Sequence, residues 1–181
     1  MTRKIIGVLL FCTCHFVARS QVVPDSSLQT IDGDTIQLKQ YPEKNILLVV
    51  IPVSHTPEDS SWLLTLEGTY QQYKDSLTLI AVPSYEDGYV DSMSAAIKAW
   101  YRDTLHLGFI ITTGMYTRNS SGDQQSWLFQ WLTSENRNGH FGTDVATYGQ
   151  KFVLKPTGEL KAVFDAATPF SGILMNIILR L

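Results

Sequence analysis

Asn45-Ile-Leu-Leu-Val-Val-Ile-Pro-Val53 runs straight into Ser54-His-Thr-Pro-Glu-Asp59, and this junction decides the fold. The first stretch is a continuous apolar, β-branched run bounded by turn residues, which predicts a strand buried on both faces. The second predicts a helix start. Thr56 suits the N-cap, Pro57 the first helical position, and Asp59 an approximate capping box. Leu63, Leu66, Tyr70 and Tyr73 then recur at helical spacing, and Leu77–Val82 forms another apolar strand.

Further out, Ile31-Asp-Gly-Asp34 reads as the turn of a β-hairpin, with apolar alternation through Leu28 and Ile36. Val90–Tyr101 reads as a helix, Phe109–Ile111 as a short strand, and the polar stretch Thr112–Asp123 as a loop. Trp127, Phe129, Trp131 and Leu132 suggest a short helix ending before Asn136-Arg-Asn-Gly139. Lys151–Leu154 and Leu160–Phe164 flank Lys155-Pro-Thr-Gly158 as a second hairpin. Phe170, Ile173, Leu174, Ile177, Ile178 and Leu181 mark the apolar stripe of a C-terminal helix. The order predicts an α/β sandwich with a central mixed sheet flanked by helices and an N-terminal β-hairpin, the plan of thioredoxin-like folds.

At 181 residues, with 44% hydrophobic and 17% charged residues, the chain fits one globular domain and excludes a disordered one. With 14 Lys+Arg against 17 Asp+Glu it lacks the basic excess of a nucleic-acid binder. Met1-Thr-Arg-Lys4, an apolar stretch from Ile5 to Cys14 and the small-x-small site Ala18-Arg19-Ser20 read together as a signal peptide over residues 1–20. The apolar stretch is too short for a membrane span. A lipid anchor on Cys12 or Cys14 fits less well, because Phe11 and Thr13 precede them where small residues are expected. Cleavage before Gln21 leaves a single domain, residues 21–181, without cysteine. Losing Arg3, Lys4 and Arg19 takes the 14 Lys+Arg to 11 against 17 Asp+Glu, a net charge of −6. The expectation is an acidic, extracytoplasmic (periplasmic or secreted), thiol-free protein with no transmembrane segment after cleavage.

Several segments in order resemble the glutathione peroxidase family: Leu28–Tyr41, Asn45–Tyr73, Leu79–Pro83, Phe129-Gln-Trp-Leu-Thr133, Asn138-Gly-His-Phe141, Lys151-Phe-Val-Leu154 and Gly158. The resemblance spans nearly the whole of residues 21–181. By itself it implies a peroxidase acting in the response to oxidative stress, built on a cysteine or selenocysteine nucleophile with Gln, Trp and Asn partners. Carried over by position, the nucleophile falls on Pro57, the Gln on Glu86, and the Trp-Asn pair on Thr147 and Tyr148. None of the four is retained, so no catalytic residue is assigned. Peroxide reduction by this route needs a sulfur or selenium atom that accepts oxygen and is later reduced. Glu58 and Asp59 also oppose a thiolate at the positive end of the helix. The resulting expectation is a fold without its chemistry, acting as a binding or structural module. His55, Thr56, Glu86 and Tyr148 are the expected lining of any surviving pocket, for a small-molecule or protein ligand.

Other constellations are weaker. His55 with Ser54 and Glu58 or Asp59 can be drawn as a hydrolytic set, but no nucleophile elbow accompanies it. His106 and His140 lack ligand-like spacing, so no metal and no cofactor are expected. Trp127 and Trp131, four apart, suit core packing better than a ligand platform. Asn119-Ser-Ser121 matches a glycosylation sequon, which has meaning only in a eukaryotic secretory route.

Overall fold

The computed structural model describes residues 21–180. The expected signal peptide with Cys12 and Cys14, and Leu181, lie outside the described residues. A hairpin of β1 (Ser27–Gln29) and β2 (Thr35–Gln37) precedes a five-stranded sheet. The sheet contains β3 (Asn45–Ile51), β4 (Leu77–Pro83), β5 (Ile110–Ile111), β6 (Lys151–Leu154) and β7 (Leu160–Phe164) in the order β5-β4-β3-β6-β7. β3 pairs parallel with β4 and antiparallel with β6, so the sheet is mixed. The β3–β4 crossover runs through α1 (Pro57–Tyr73). α2 (Ser94–Ala99), α3 (Trp127–Leu132), α4 (Glu135–Asn138) and α5 (Gly172–Arg180) follow.

Side-chain alternation along β3 divides the core into two layers. Leu47, Val49 and Ile51 face α1, α2 and α5 through Leu63, Leu66, Ile97, Leu174 and Ile178. Leu48 and Val50 face α3 and the hairpin through Phe129, Leu132, Leu28 and Ile36. Every residue of β3 from Ile46 to Ile51 is buried, as the unbroken apolar run requires. Because the run has no polar face, it is stable only between two apolar layers.

Four expectations are corrected. The strand stops at Ile51 rather than Val53, since Pro52 has no N–H to extend a ladder. The helix expected over Val90–Tyr101 begins at Ser94, after a tight turn at Asp91–Met93, and continues as a wide π turn over Trp100–Thr104. A separate turn, α4, occupies Glu135–Asn138, and Gly139 at φ +82° ends it. In α5 the buried face is Leu174, Met175 and Ile178, whereas Ile173 (77% exposed) and Ile177 (45%) point outward. Apolar residues cover most of the surface of this nine-residue helix, so packing selects which of them are buried. Among the described residues no helix is long and apolar enough to cross a membrane.

Candidate functional site

The carboxyl ends of β3 and β4 and the amino end of α1 meet where α/β sheets commonly place function. The local sequence builds this corner directly. Thr56 is the N-cap of α1, its Oγ1 accepting from the Asp59 N–H (3.1 Å), and Pro57 is the first helical residue. Asp59 does not close the capping box expected of it. Its side chain turns inward, and its carboxylate accepts a hydrogen bond from the Ser54 hydroxyl. Asp59 is only 5% exposed, a buried carboxylate on the first turn of the helix.

Tyr148 arrives at the same corner from the segment before β6. The Asp59 carboxylate favours its protonated hydroxyl and pushes the phenol above its ordinary pKa, with burial adding to the effect. The Tyr148 ring stands edge-on to Trp62 (5.9 Å between centroids), and Trp62 stands edge-on to Phe170 (5.6 Å). Gly149 makes the approach possible. It sits at φ +90°, its N–H reaches the Val50 carbonyl (2.7 Å), and an added Cβ would lie 3.3 Å from Ala166. His55 is exposed, its ring tilted over Trp100 at 4.3 Å between centroids. Thr147 is exposed beside Tyr148.

Glu86 follows β4, but its carboxylate is turned into the protein. It accepts from the hydroxyls of Ser84 (2.7 Å) and Ser121 (2.6 Å) and from the N–H groups of Thr117 (3.0 Å) and Arg118 (2.9 Å). Burial alone would raise its pKa. The hydrogen bonds from Ser121, Ser84, Arg118 and Thr117 outweigh it and bring the value down to about 2. Asp87 next door shows the opposite balance: burial raises its pKa despite the ion pair with Arg118. Its Oδ2 and the Nε of Arg118 are buried without a hydrogen-bond partner among the described residues.

The structure thus brings Tyr148 to Asp59, which also takes the Ser54 hydroxyl, at the helix start made by Thr56 and Pro57; the His55 ring lies over Trp100, and the Glu86 carboxylate is bonded to Ser84 and the Thr117–Ser121 segment. Sequence reasoning gave Asp59 a capping role and placed it near Ser54, but overlooked its pairing with Tyr148, because residue 148 is remote in the chain. It also treated Lys151 as an ordinary strand residue. Lys151 is 1% exposed, donates to the carbonyls of Gly149 (2.6 Å) and Asp165 (3.2 Å), and lies 4.7 Å from the Phe170 ring centroid. Burial lowers its pKa to about 8 against the pull of Asp165.

Among the described residues no three His, Cys, Asp or Glu side chains gather as a metal site. Trp131 is buried and Trp127 half-buried. The Asn119 side-chain oxygen accepts from Gln125 (3.1 Å) and Thr133 (2.9 Å), tying this side chain into the loop's own network. The corner offers carboxylates, a phenol and hydroxyls, with no sulfur at the helix start.

No family model matches the chain, and no curated protein is similar to it in sequence. Solved structures are similar in fold. The glutathione peroxidase Trgpx, in its apo form, superposes with a TM-score of 0.64 at 17% identity, covering 88% of this chain and 94% of that one. A thiol:disulfide interchange protein of the thioredoxin family from Chlorobium tepidum TLS gives 0.62 at 13% identity, covering 90% and 95%. T. cruzi GPX1 gives 0.59 at 13% identity, covering 86% and 94%. The chain has the thioredoxin-like fold that the sequence order predicted.

Proposed function

We propose that this chain is an extracytoplasmic, glutathione-peroxidase-like protein that has lost thiol peroxidase chemistry and acts as a non-catalytic binding or structural module. In this reading residues 1–20 direct export and 21–181 form the single mature domain. The observation that carries it is the start of α1. The position that the resemblance gives to the nucleophile holds Pro57, between the capping Thr56 and the buried Asp59. Glu86, at the Gln position, has its carboxylate taken up by the chain's own donors. Cys12 and Cys14 are the only cysteines, and both lie within the proposed leader.

A hydroxyl cannot replace the missing thiolate, since Ser and Thr have no ladder of reversible oxidation states. What the corner retains is a surface. Exposed His55 and Thr56 and half-buried Tyr148 form its rim. Glu86 shapes the adjacent wall by holding the Thr117–Ser121 backbone. Purified residues 21–181, mixed with hydrogen peroxide or tert-butyl hydroperoxide and either glutathione or reduced thioredoxin, should consume peroxide no faster than a protein-free blank. Saturable turnover would overturn the proposal.

A further inference from the structure

At the amino end of the central strands the sheet is incomplete. β5 meets β4 only where Ile110 and Ile111 pair with Ile80 and Ala81. The flank of Leu77–Leu79 that faces away from β3 therefore has no strand beside it among the described residues. A cleft of about 330 Å³ occupies this gap. Leu77, Leu79 and Ile110 contribute apolar lining. Tyr41 and Lys44 enter from the loop before β3, and Tyr70 and Lys74 from the carboxyl end of α1. Small-molecule sites have this size and this composition, an apolar lining with a few polar groups.

The polar groups suit one sign of ligand. Lys44 Nζ donates to the Lys74 carbonyl (3.0 Å), and Lys74 Nζ to the Gln71 side chain (3.0 Å). Neither lysine forms an ion pair among the described residues, so each ammonium keeps two donors for other use. Two cations without counter-ions at one cleft stand out in a domain of net charge −6. The lining also includes Glu43, which pairs with neither lysine. The bond from Lys44 also meets the negative pole at the end of α1, which would otherwise repel an anion. Burial keeps the Tyr41 phenol protonated well past neutrality, so its hydroxyl remains able to donate.

We propose that this cleft binds a small amphipathic carboxylate. Its apolar body, an aromatic ring or a medium-length acyl chain, lies against the half-buried Ile110, Tyr41 and Tyr70, over a floor formed by the buried Leu77 and Leu79, and its carboxylate is held at Lys44 and Lys74. The site is separate from the α1 amino end. The seven residues of β3 lie between them, about 23 Å at about 3.3 Å per residue.

Octanoate and octylammonium, opposite in charge and matched in apolar length to within one methylene (the extra one on the cation, which favours it), are the probes. They are titrated into residues 21–181 by calorimetry and followed by amide chemical shifts. Octanoate should bind saturably, one to one, with a Kd below about 1 mM, a modest affinity expected of a small ligand. The shifts should centre on Lys44, Thr78 and Ile110, and octylammonium should bind at least about tenfold more weakly. The double variant Lys44→Gln/Lys74→Gln should weaken octanoate about tenfold, the scale of losing a charge-assisted hydrogen bond, with an unchanged urea midpoint. Three results would each overturn the proposal: no saturable octanoate binding, equal binding of the two probes, or octanoate binding unaffected in the double variant.

Discussion

The two ends of the β3–α1 unit both carry polar side chains and use them in opposite ways. At the carboxyl end, Ser54, Thr56, Asp59 and Glu86 direct their polar atoms into the chain. At the amino end, Lys44 and Lys74 line an open cleft with donors left over. The difference shows that residue type alone does not mark a binding group. A polar group whose bonds are already made inside the fold holds structure, whereas one that retains bonding capacity at a cavity is available to a ligand. Glu86 and Asp87 repeat the lesson within two residues. Four donors stabilise the Glu86 charge, while Asp87 keeps one buried oxygen without a partner among the described residues, and their pKa values move in opposite directions.

The contrast can be broken most directly at Glu86. Glu86→Ala leaves the Thr117 and Arg118 N–H groups and two hydroxyls without their acceptor. It should cost about 3 kcal/mol, read as a lower urea midpoint. A change below about 1 kcal/mol would mean that the loop is held by other contacts.

The same carboxylate sets an acid limit. Its folded pKa of about 2 lies below the ordinary 4.5, so its contribution is complete above pH 4.5 and is lost as pH falls towards 2. Asp87, shifted upward, works in the opposite sense. The informative quantity is therefore the difference in urea midpoint between wild type and Glu86→Gln, which should narrow from pH 5 to pH 2.5. A difference that stays constant over that range would remove Glu86 as the source.

A smaller effect separates the two ends. Thr56→Ala should cost about 1 kcal/mol through loss of the cap. Lys44→Gln and Lys74→Gln, at exposed or half-buried positions outside the core, should each stay within about 0.5 kcal/mol. Equal losses at both ends would erase the distinction.

Much of the framework is legible in the sequence because its signals are local. The unbroken run Ile46–Ile51 can be stable only as a covered strand, and Thr56-Pro57 marks a helix start through side-chain bonding and a fixed φ. Lys155-Pro-Thr-Gly158 turns the second hairpin, with Gly158 at φ +86°. The candidate site is legible only as positions. That Pro57 begins the helix follows from the sequence, but that Asp59 turns from its cap towards Ser54 and Tyr148 does not. Tyr148 lies nearly ninety residues further along the chain, and no spacing rule connects them. Lys151 looks like an outward-facing strand residue, yet the carbonyls of Gly149 and Asp165 and the Phe170 ring allow its burial.

By itself, the sequence determined the principal strands and helices, their order, the α/β class, and the lack of any thiol between residues 21 and 181. These follow from periodicity, turn chemistry and composition, which act over a few residues or need only counting. The tertiary structure alone decided where each polar group is used: Glu86 bonded inward, Asp59 beside Tyr148, Lys151 buried, and Lys44 and Lys74 together at the gap left by a two-residue β5. The physical reason is that a side chain's bonding capacity is taken up by whatever the fold brings near it, and those neighbours come from distant parts of the chain.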